Sequence, residues 1–345
     1  MFKPIFNVHS KVHFNSLVLN ENAHHIVMEN LDKLNADGWR YFSQRCVSCN
    51  VLLNNINKVN WEYLSKNRNA IKILEQNMDK IDWKELSYNF NAIHILENNL
   101  DKVNWWILSM NRNAINILEN NLHKVDWNFL SHNSNAIHIL EQNLDKIVWW
   151  WLSQNRNAIK IIENNLDKVD WNWLSTNPNA INILEQNIDK INWFFISRNP
   201  NAIHLLEKNI DKVDWPWLSW NPNAINILEK NLDKVNWKCL SHNPNAISII
   251  EKNLDKVDWY ELSENSNAIR VLEENLDKIY WRGLSINPNA IHLLAPLNHK
   301  AMREKIEPFK KDLLEYVLNP SRLRRLCDMH SVDLATLLSY HKIGR

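Results

Sequence analysis

Asn177-Pro178-Asn179-Ala180-Ile181-Asn182-Ile183-Leu184-Glu185-Gln186-Asn187-Ile188-Asp189-Lys190-Ile191-Asn192-Trp193-Phe194-Phe195-Ile196-Ser197-Arg198 is one copy of a pattern that fills most of this chain. Its landmark is tryptophan, which recurs at 39, 61, 83, 105, 127, 149, 171, 193, 215, 237, 259 and 281, every step 22 residues. Self-similarity at a fixed period decides the architecture before any finer reading, because each unit buries its apolar face only against its neighbours.

Each unit reads as two short helices. Asn177 is an N-cap type, since its side-chain oxygen can accept from a free backbone N–H. Pro178 follows at a first helical position, where a missing N–H costs nothing. Ala180, Ile181, Leu184 and Ile188 fall at helical spacing on one face. Asn187 stands where this helix stops, and asparagine tolerates the left-handed backbone of a C-cap. The chain has only three glycines, so asparagine is expected to do that work. A second helix begins at Asn192, where other units carry Asp82, Asn104, Asp126, Asp170 or Asp214. Trp193 and Ile196 lie one turn apart on it. Helices of about nine and six residues are marginal alone in water and persist only when stacked.

The expected fold is therefore all-α: an α-solenoid of about twelve two-helix units. Its parts are an N-terminal arm or cap at 1–20, the array at 21–295, and a C-terminal helical cap or docking segment at 296–345. Helices are expected at about 301–318, after Asn319-Pro320-Ser321, and at 332–340. At about 9 Å per stacked unit, the array offers a surface of roughly 100 Å. The unit before Trp39 has three extra residues after Lys33, and the next replaces Asn-Ala-Ile by Val47-Ser48-Cys49. Atypical units are expected at the ends of a solenoid.

The recurring tryptophans Trp61, Trp83, Trp105, Trp127, Trp149, Trp171, Trp193, Trp215, Trp237, Trp259 and Trp281 are read as the repeat core, a wedge between units. The recurring Asp-Lys pair (Asp79-Lys80 through Asp277-Lys278) is read as a solvated loop face with a role in register. The recurring glutamates (Glu75, Glu97, through Glu273) are read as structural. Function is sought instead where units differ. The two positions after each tryptophan vary widely, and aromatic residues concentrate there between 106 and 220. Phe129, Trp151, Trp173, Phe195 and Trp217 are expected to complete helix packing. Trp106, Trp150, Phe194 and Trp220 are the expected exposed anchors of a partner-binding surface. His94, His138 and His204, at one variable position shared with His292, are added to that surface. The closest two are two units apart, too far to share a metal or a proton.

Nothing points to catalysis or a cofactor. Cys46-x-x-Cys49 has half of a zinc spacing, and no second pair follows. Glycine-rich phosphate loops, GxSxG and HExxH are missing from the sequence. The four cysteines are too few for a disulfide framework. No apolar run approaches membrane-spanning length, so no membrane association is expected, and an intracellular location follows rather than secretion.

The unit at 199–220, Asn-Pro-Asn-Ala-Ile-His-Leu-Leu-Glu-Lys-Asn-Ile-Asp-Lys-Val-Asp-Trp-Pro-Trp-Leu-Ser-Trp, resembles the short repeats of repetitive proteins encoded by large DNA viruses of amoebae and algae. The segment 309–323, with Phe309, Leu313, Val317, Pro320 and Leu323, resembles their common C-terminal pattern. Asp312 stands there for a frequent Glu, and Asn319-Pro320 for a frequent His-Pro. The resemblance covers about 45–325 and brings no catalytic residues. It implies a viral origin, in the host cytoplasm or the virion, and hence either an adaptor for viral or host proteins or a minor capsid or spacer component. The sequence thus points to a non-enzymatic protein–protein scaffold. Single-stranded nucleic-acid binding along the solenoid is the alternative. The formal net charge of +1 and the small basic cluster Arg322, Arg324 and Arg325 weigh against it.

Overall fold

The structure is a computed structural model and describes residues 13–294, which lie within one compact unit. The helices expected beyond 296, and the arm before His13, lie outside the described residues. Every regular element among the described residues is helical. Each unit consists of a helix that starts at the tryptophan, such as Trp171–Thr176, and a helix that starts at the isoleucine, such as Ile181–Gln186. They are called here the Trp helix and the Ile helix. The Ile helices are shorter than expected, because the Asn-Pro-Asn-Ala stretch is a turn and the α-helix proper begins only at the isoleucine.

The core is a repeated set of small and branched residues. Leu174, Ala180 and Leu184 are fully enclosed, and their equivalents are so in every interior unit. Buried between units runs a polar ladder. Ser175 donates its hydroxyl to Trp171 O at 2.7 Å and accepts the backbone N–H of Asn192, in the next unit, at 3.1 Å. Asn177 accepts Asn179 N–H at 3.0 Å through its side-chain oxygen, as a cap should. Its side-chain nitrogen reaches back to Ser153 O and Asn155 O of the preceding unit, at 3.0 and 3.2 Å. The same contacts recur from unit to unit, so each buried Ser and Asn is both satisfied and used as a fastener. Stranding a buried carbonyl costs about 1–3 kcal/mol, so the ladder fixes register as well as adding stability.

Asn187 does not take the left-handed conformation expected of it. Its φ is −134° and ψ 49°, and its side chain turns back to donate to Ile183 O at 2.9 Å. Asn77, Asn209 and Asn275 do the same. The helix end is satisfied by a side-chain amide rather than by a positive φ, which is why so little glycine suffices.

The array does not have two free ends. His13 precedes a helix, Phe14–Leu17, that packs on Ala36–Arg45 on one side and on Trp281–Ile286 on the other. His13 N–H donates to Ser285 Oγ at 3.3 Å, and Asn20 Nδ2 donates to Ser285 O and Asn287 O at 3.3 and 2.7 Å. Asn22 Nδ2 donates to Pro288 O at 2.9 Å. These are the interior contacts over again. Asp258 N–H meets Ser241 Oγ, Asn265 Nδ2 meets Ser241 O and Asn243 O, and Asn267 Nδ2 meets Pro244 O. The solenoid therefore closes on itself, with Phe14 in the tryptophan position and Asn20 in the ladder. The expected N-terminal cap is instead a working unit from His13 onward.

The ring has thirteen Trp helices: Phe14–Leu17, Ala36–Arg45 and those that begin at Trp61 through Trp281. Closure of thirteen units requires a turn of about 28° per unit, and a spacing of about 9 Å gives a mean diameter of about 37 Å. Successive Trp helices, such as Trp127–His132 and Trp149–Gln154, lie backbone to backbone, whereas successive Ile helices stand farther apart. The Trp helices thus line the shorter, inner circumference.

Candidate interaction surface

The first position of each Trp helix is half-buried rather than enclosed. Only Trp39 is buried, while Trp61, Trp83, Trp105, Trp127, Trp149, Trp171, Trp193, Trp215, Trp237, Trp259 and Trp281 keep part of the indole accessible. The physical reason is place. The indole stands at the mouth of the helix, beside the Asp-Lys loop, and the enclosed space deeper in the unit is filled by Leu174 and its equivalents. A lysine from the loop after each unit covers the ring instead. Lys190 Nζ sits 4.8 Å from the centre of Trp171, and the same stacking runs from Lys58 over Trp39 to Lys278 over Trp259. Among the described residues, the aspartates of the Asp-Lys pairs form no ladder of charge with these lysines.

The next two positions and the sixth face inward around the ring. Trp106, Trp150, Phe194 and Trp220 are exposed by 49, 40, 48 and 37%. Phe129, Trp151, Trp173, Phe195 and Trp217 are half-buried between and beneath them. From Trp106 to Trp217 the rings form one unbroken ribbon, closed between Phe195 and Phe194 at 5.2 Å. Trp106 meets Phe129 edge-on at 4.6 Å, and Phe129 meets Trp151 at 5.7 Å. Trp151 stacks on Trp150 at 4.2 Å, which leads to Trp173 at 6.4 Å and on to Phe195 at 5.3 Å. Phe194 meets Trp217 at 5.8 Å. Arg198 lies over both Trp217 and Trp220, and Trp220 stacks on His242 at 5.0 Å. Seven consecutive Trp helices, from Trp105–Leu108 to Trp237–His242, carry this ribbon.

Its electrostatics differ from those of the whole chain. None of these seven helices, nor the turns that follow them, contains Asp or Glu. Asp126, Asp170 and Asp214 precede three of them and are engaged as caps, accepting Phe129, Trp173 and Trp217 N–H. Arg112, Arg156 and Arg198 stand along the ribbon, and among the described residues none of them pairs with a carboxylate. Glu85 and Glu261 mark the two ends of this acid-free arc, each paired with a lysine, at 3.0 Å to Lys66 and 3.7 Å to Lys238. Two hollows lie side by side on the arc. One, of about 540 Å³, lies between Arg112 and Arg156. The other, of about 310 Å³, lies between Arg156 and Arg198 over Trp173, Phe195 and Trp217. His132 sits in the first, tilted against Trp151, with its pKa lowered by burial first and by the Arg112 charge as well.

The histidines grouped with the aromatics in the sequence stand elsewhere. His94, His138 and His204 belong to the Ile helices, on the outer row. Each meets the glutamate of the preceding unit: Glu75 at 2.7 Å, Glu119 at 3.4 Å, and Glu185. His292 with Glu273 and Arg270 with Glu251 repeat the pairing. The recurring glutamate thus bridges outer helices where the next unit supplies a histidine or Arg270 at this position, and these histidines share no surface with the ribbon. Exposed pairs of this kind contribute little.

Cys46 is buried and Cys49 half-buried, with its thiol toward Asn69 O at 3.1 Å. Burial raises the pKa of Cys46, and burial together with the Glu261 charge raises that of Cys239, so neither is an activated thiolate. Among the described residues no group of three or more His, Cys, Asp or Glu could hold a metal, and no helix is long and apolar enough to cross a membrane. The arginine stripe was missed by sequence reasoning, although Arg68, Arg112 and Arg156 share one repeat position, 44 residues apart. No family model matches the chain, and no curated protein or solved structure matches it.

Proposed function

We propose that the ring is a non-enzymatic scaffold that binds a protein partner along its inner aromatic arc. The observation that carries this reading is the ribbon itself: eight aromatic side chains from Trp106 to Trp217 in continuous contact, with Trp220 joined to them through Arg198, and four of the nine exposed. A contiguous apolar surface of this kind is unusual on a lone chain and marks an interaction site. Trp and Arg dominate the anchor positions of protein interfaces, and Phe is enriched there as well. The framework positions explain the fold without these side chains, so their clustering on seven adjacent units answers to something other than stability. The resemblance of the repeat to viral repetitive proteins makes the partner a viral or host protein.

The experiment is site-specific photo-crosslinking in cells that make the protein, with the crosslinker at position 150 or 194 on the ribbon and at 138 or 204 on the outer row. A discrete protein captured from the ribbon and not from the outer row is the expected result. Capture from the outer row alone, or of nucleic acid from the ribbon, contradicts the reading.

A further inference from the structure

We infer that the partner segment on the arc is an extended, acidic polypeptide, its carboxylates on Arg112, Arg156 and Arg198 and its apolar side chains on the rings between them. This deepens the scaffold reading and rests on it. Three observations choose the occupant. The first is charge complementarity. Three unpaired guanidiniums face a surface without a single carboxylate, closed at both ends by Glu85 and Glu261. The protein's own tail beyond Leu294 is net basic and does not complement it.

The second is spacing. The three arginines lie on alternate units, which at about 9 Å per unit at mid-radius puts them at most roughly 18 Å apart on the inner face. An extended chain advances about 3.3 Å per residue, so carboxylates about six positions apart on one face meet successive arginines. The residues between them face the hollows of about 540 and 310 Å³. A nucleic-acid strand is a poorer match. It presents a phosphate at intervals far shorter than 18 Å, so most would find no cation. Three phosphate contacts would yield a salt slope of only about −2 on a logarithmic scale.

The third is the state of the rings. Trp150 is already stacked on Trp151 and Trp220 on His242, which leaves edges and single faces for side chains rather than open slots for bases. Guanidinium and carboxylate pair in a planar, two-point geometry that is stronger than a neutral hydrogen bond, and Arg198 is held in place by its two indoles.

The test is fluorescence anisotropy with a labelled peptide that carries Asp at three positions six residues apart, with Leu and Phe between them. It is measured beside its Asn counterpart and an oligothymidylate of similar length. The acidic peptide should bind about tenfold or more tightly than the amide version, and Arg156→Glu should abolish that advantage, weakening the acidic peptide far more than the amide one. Arg112→Glu serves as the second variant. Both side chains are exposed, and circular dichroism checks the fold. Equal binding of the two peptides overturns the acidic partner and leaves the scaffold reading standing. Binding of oligothymidylate and of neither peptide overturns both. Absence of any binding overturns the inference, and crosslinking from position 150 then decides the scaffold reading separately.

Discussion

Two arcs of one ring share a framework and differ in what they present. In the unit of Trp171, Leu174 and Ser175 are enclosed, Asn177 joins the ladder, and the inward positions are Asn172, Trp173 and Thr176. In the unit of Trp259, Leu262 and Ser263 are equally enclosed and Asn265 makes the same two bonds, but the inward positions are Tyr260, Glu261 and Glu264. The fold is indifferent to this change, because the inward positions lie outside the ladder and the leucine core. A repeat ring of this design separates the residues that hold it together from those that give each arc its chemistry.

That separation can be broken most sharply at the core. Leu174→Ala and Leu262→Ala, at sites with no exposed surface, should each destabilise by about 2–5 kcal/mol in chemical denaturation. Costs that differ by more than about 1 kcal/mol would mean the two arcs are not built alike.

The ladder comes next, and it also tests the seam. Asn177→Ala strands Ser153 O, at about 1–3 kcal/mol, and leaves Asn155 O with the Ala158 N–H alone. Asn20→Ala should cost a similar amount, because it strands Ser285 O and leaves Asn287 O with the Ala290 N–H alone. A negligible effect of Asn20→Ala beside a large effect of Asn177→Ala would mean that the first unit does not hold the last.

Smaller effects belong to the tryptophans and their covering lysines. Trp171→Ala should cost about 1–3 kcal/mol, below Leu174→Ala, since the indole is only half-buried. Lys190→Ala should cost about 0.5–1 kcal/mol through the lost cation–π contact. The reverse order would return the indole to the interior.

The smallest effect is the acid sensitivity that the aromatic arc adds to that of His24, whose pKa burial also lowers. The folded chain resists protonation of His132, whose pKa lies below the ordinary 6.5. As pH falls below 6.5 the unfolded chain takes up more protons, so this group's contribution to stability is lost toward acid. His132→Gln should flatten that part of the stability profile. An unchanged slope between about pH 6.5 and pH 5 would place the sensitivity elsewhere.

Much of this was legible in the sequence, for physical reasons. The 22-residue spacing of tryptophan, the N-cap at Asn192, and the leucine one turn beyond each tryptophan are local facts, and local facts set helices. The exposed ring positions were legible too, because Trp106, Trp150 and Phe194 stand where neighbouring units carry Lys, Asn or Pro, and Trp220 stands where they carry Arg198 and His242. The ladder was not. Asn177 looked like a cap, and its second role depends on carbonyls 22 and 24 residues away. Closure was hidden twice over. Phe14 and Val18 replace the tryptophan and serine that mark a unit, although Leu17 and Asn20 keep their register. The turn per unit, which decides whether thirteen units meet, is a property of packing and not of any one residue. The half-burial of the indoles escaped for a similar reason: the lysine that covers each one comes from a loop 19 residues on.

Closure is the claim on which the inner surface depends. It is tested most directly by the distance between two spin labels placed at positions 22 and 288, after replacement of the four native cysteines. Labels at positions 245 and 222, which hold the same relation inside the array, provide the reference. A closed ring predicts the same short distance for both pairs. An open solenoid would place 22 and 288 many units apart, at a distance approaching 100 Å at about 9 Å per unit, and that result would contradict the account.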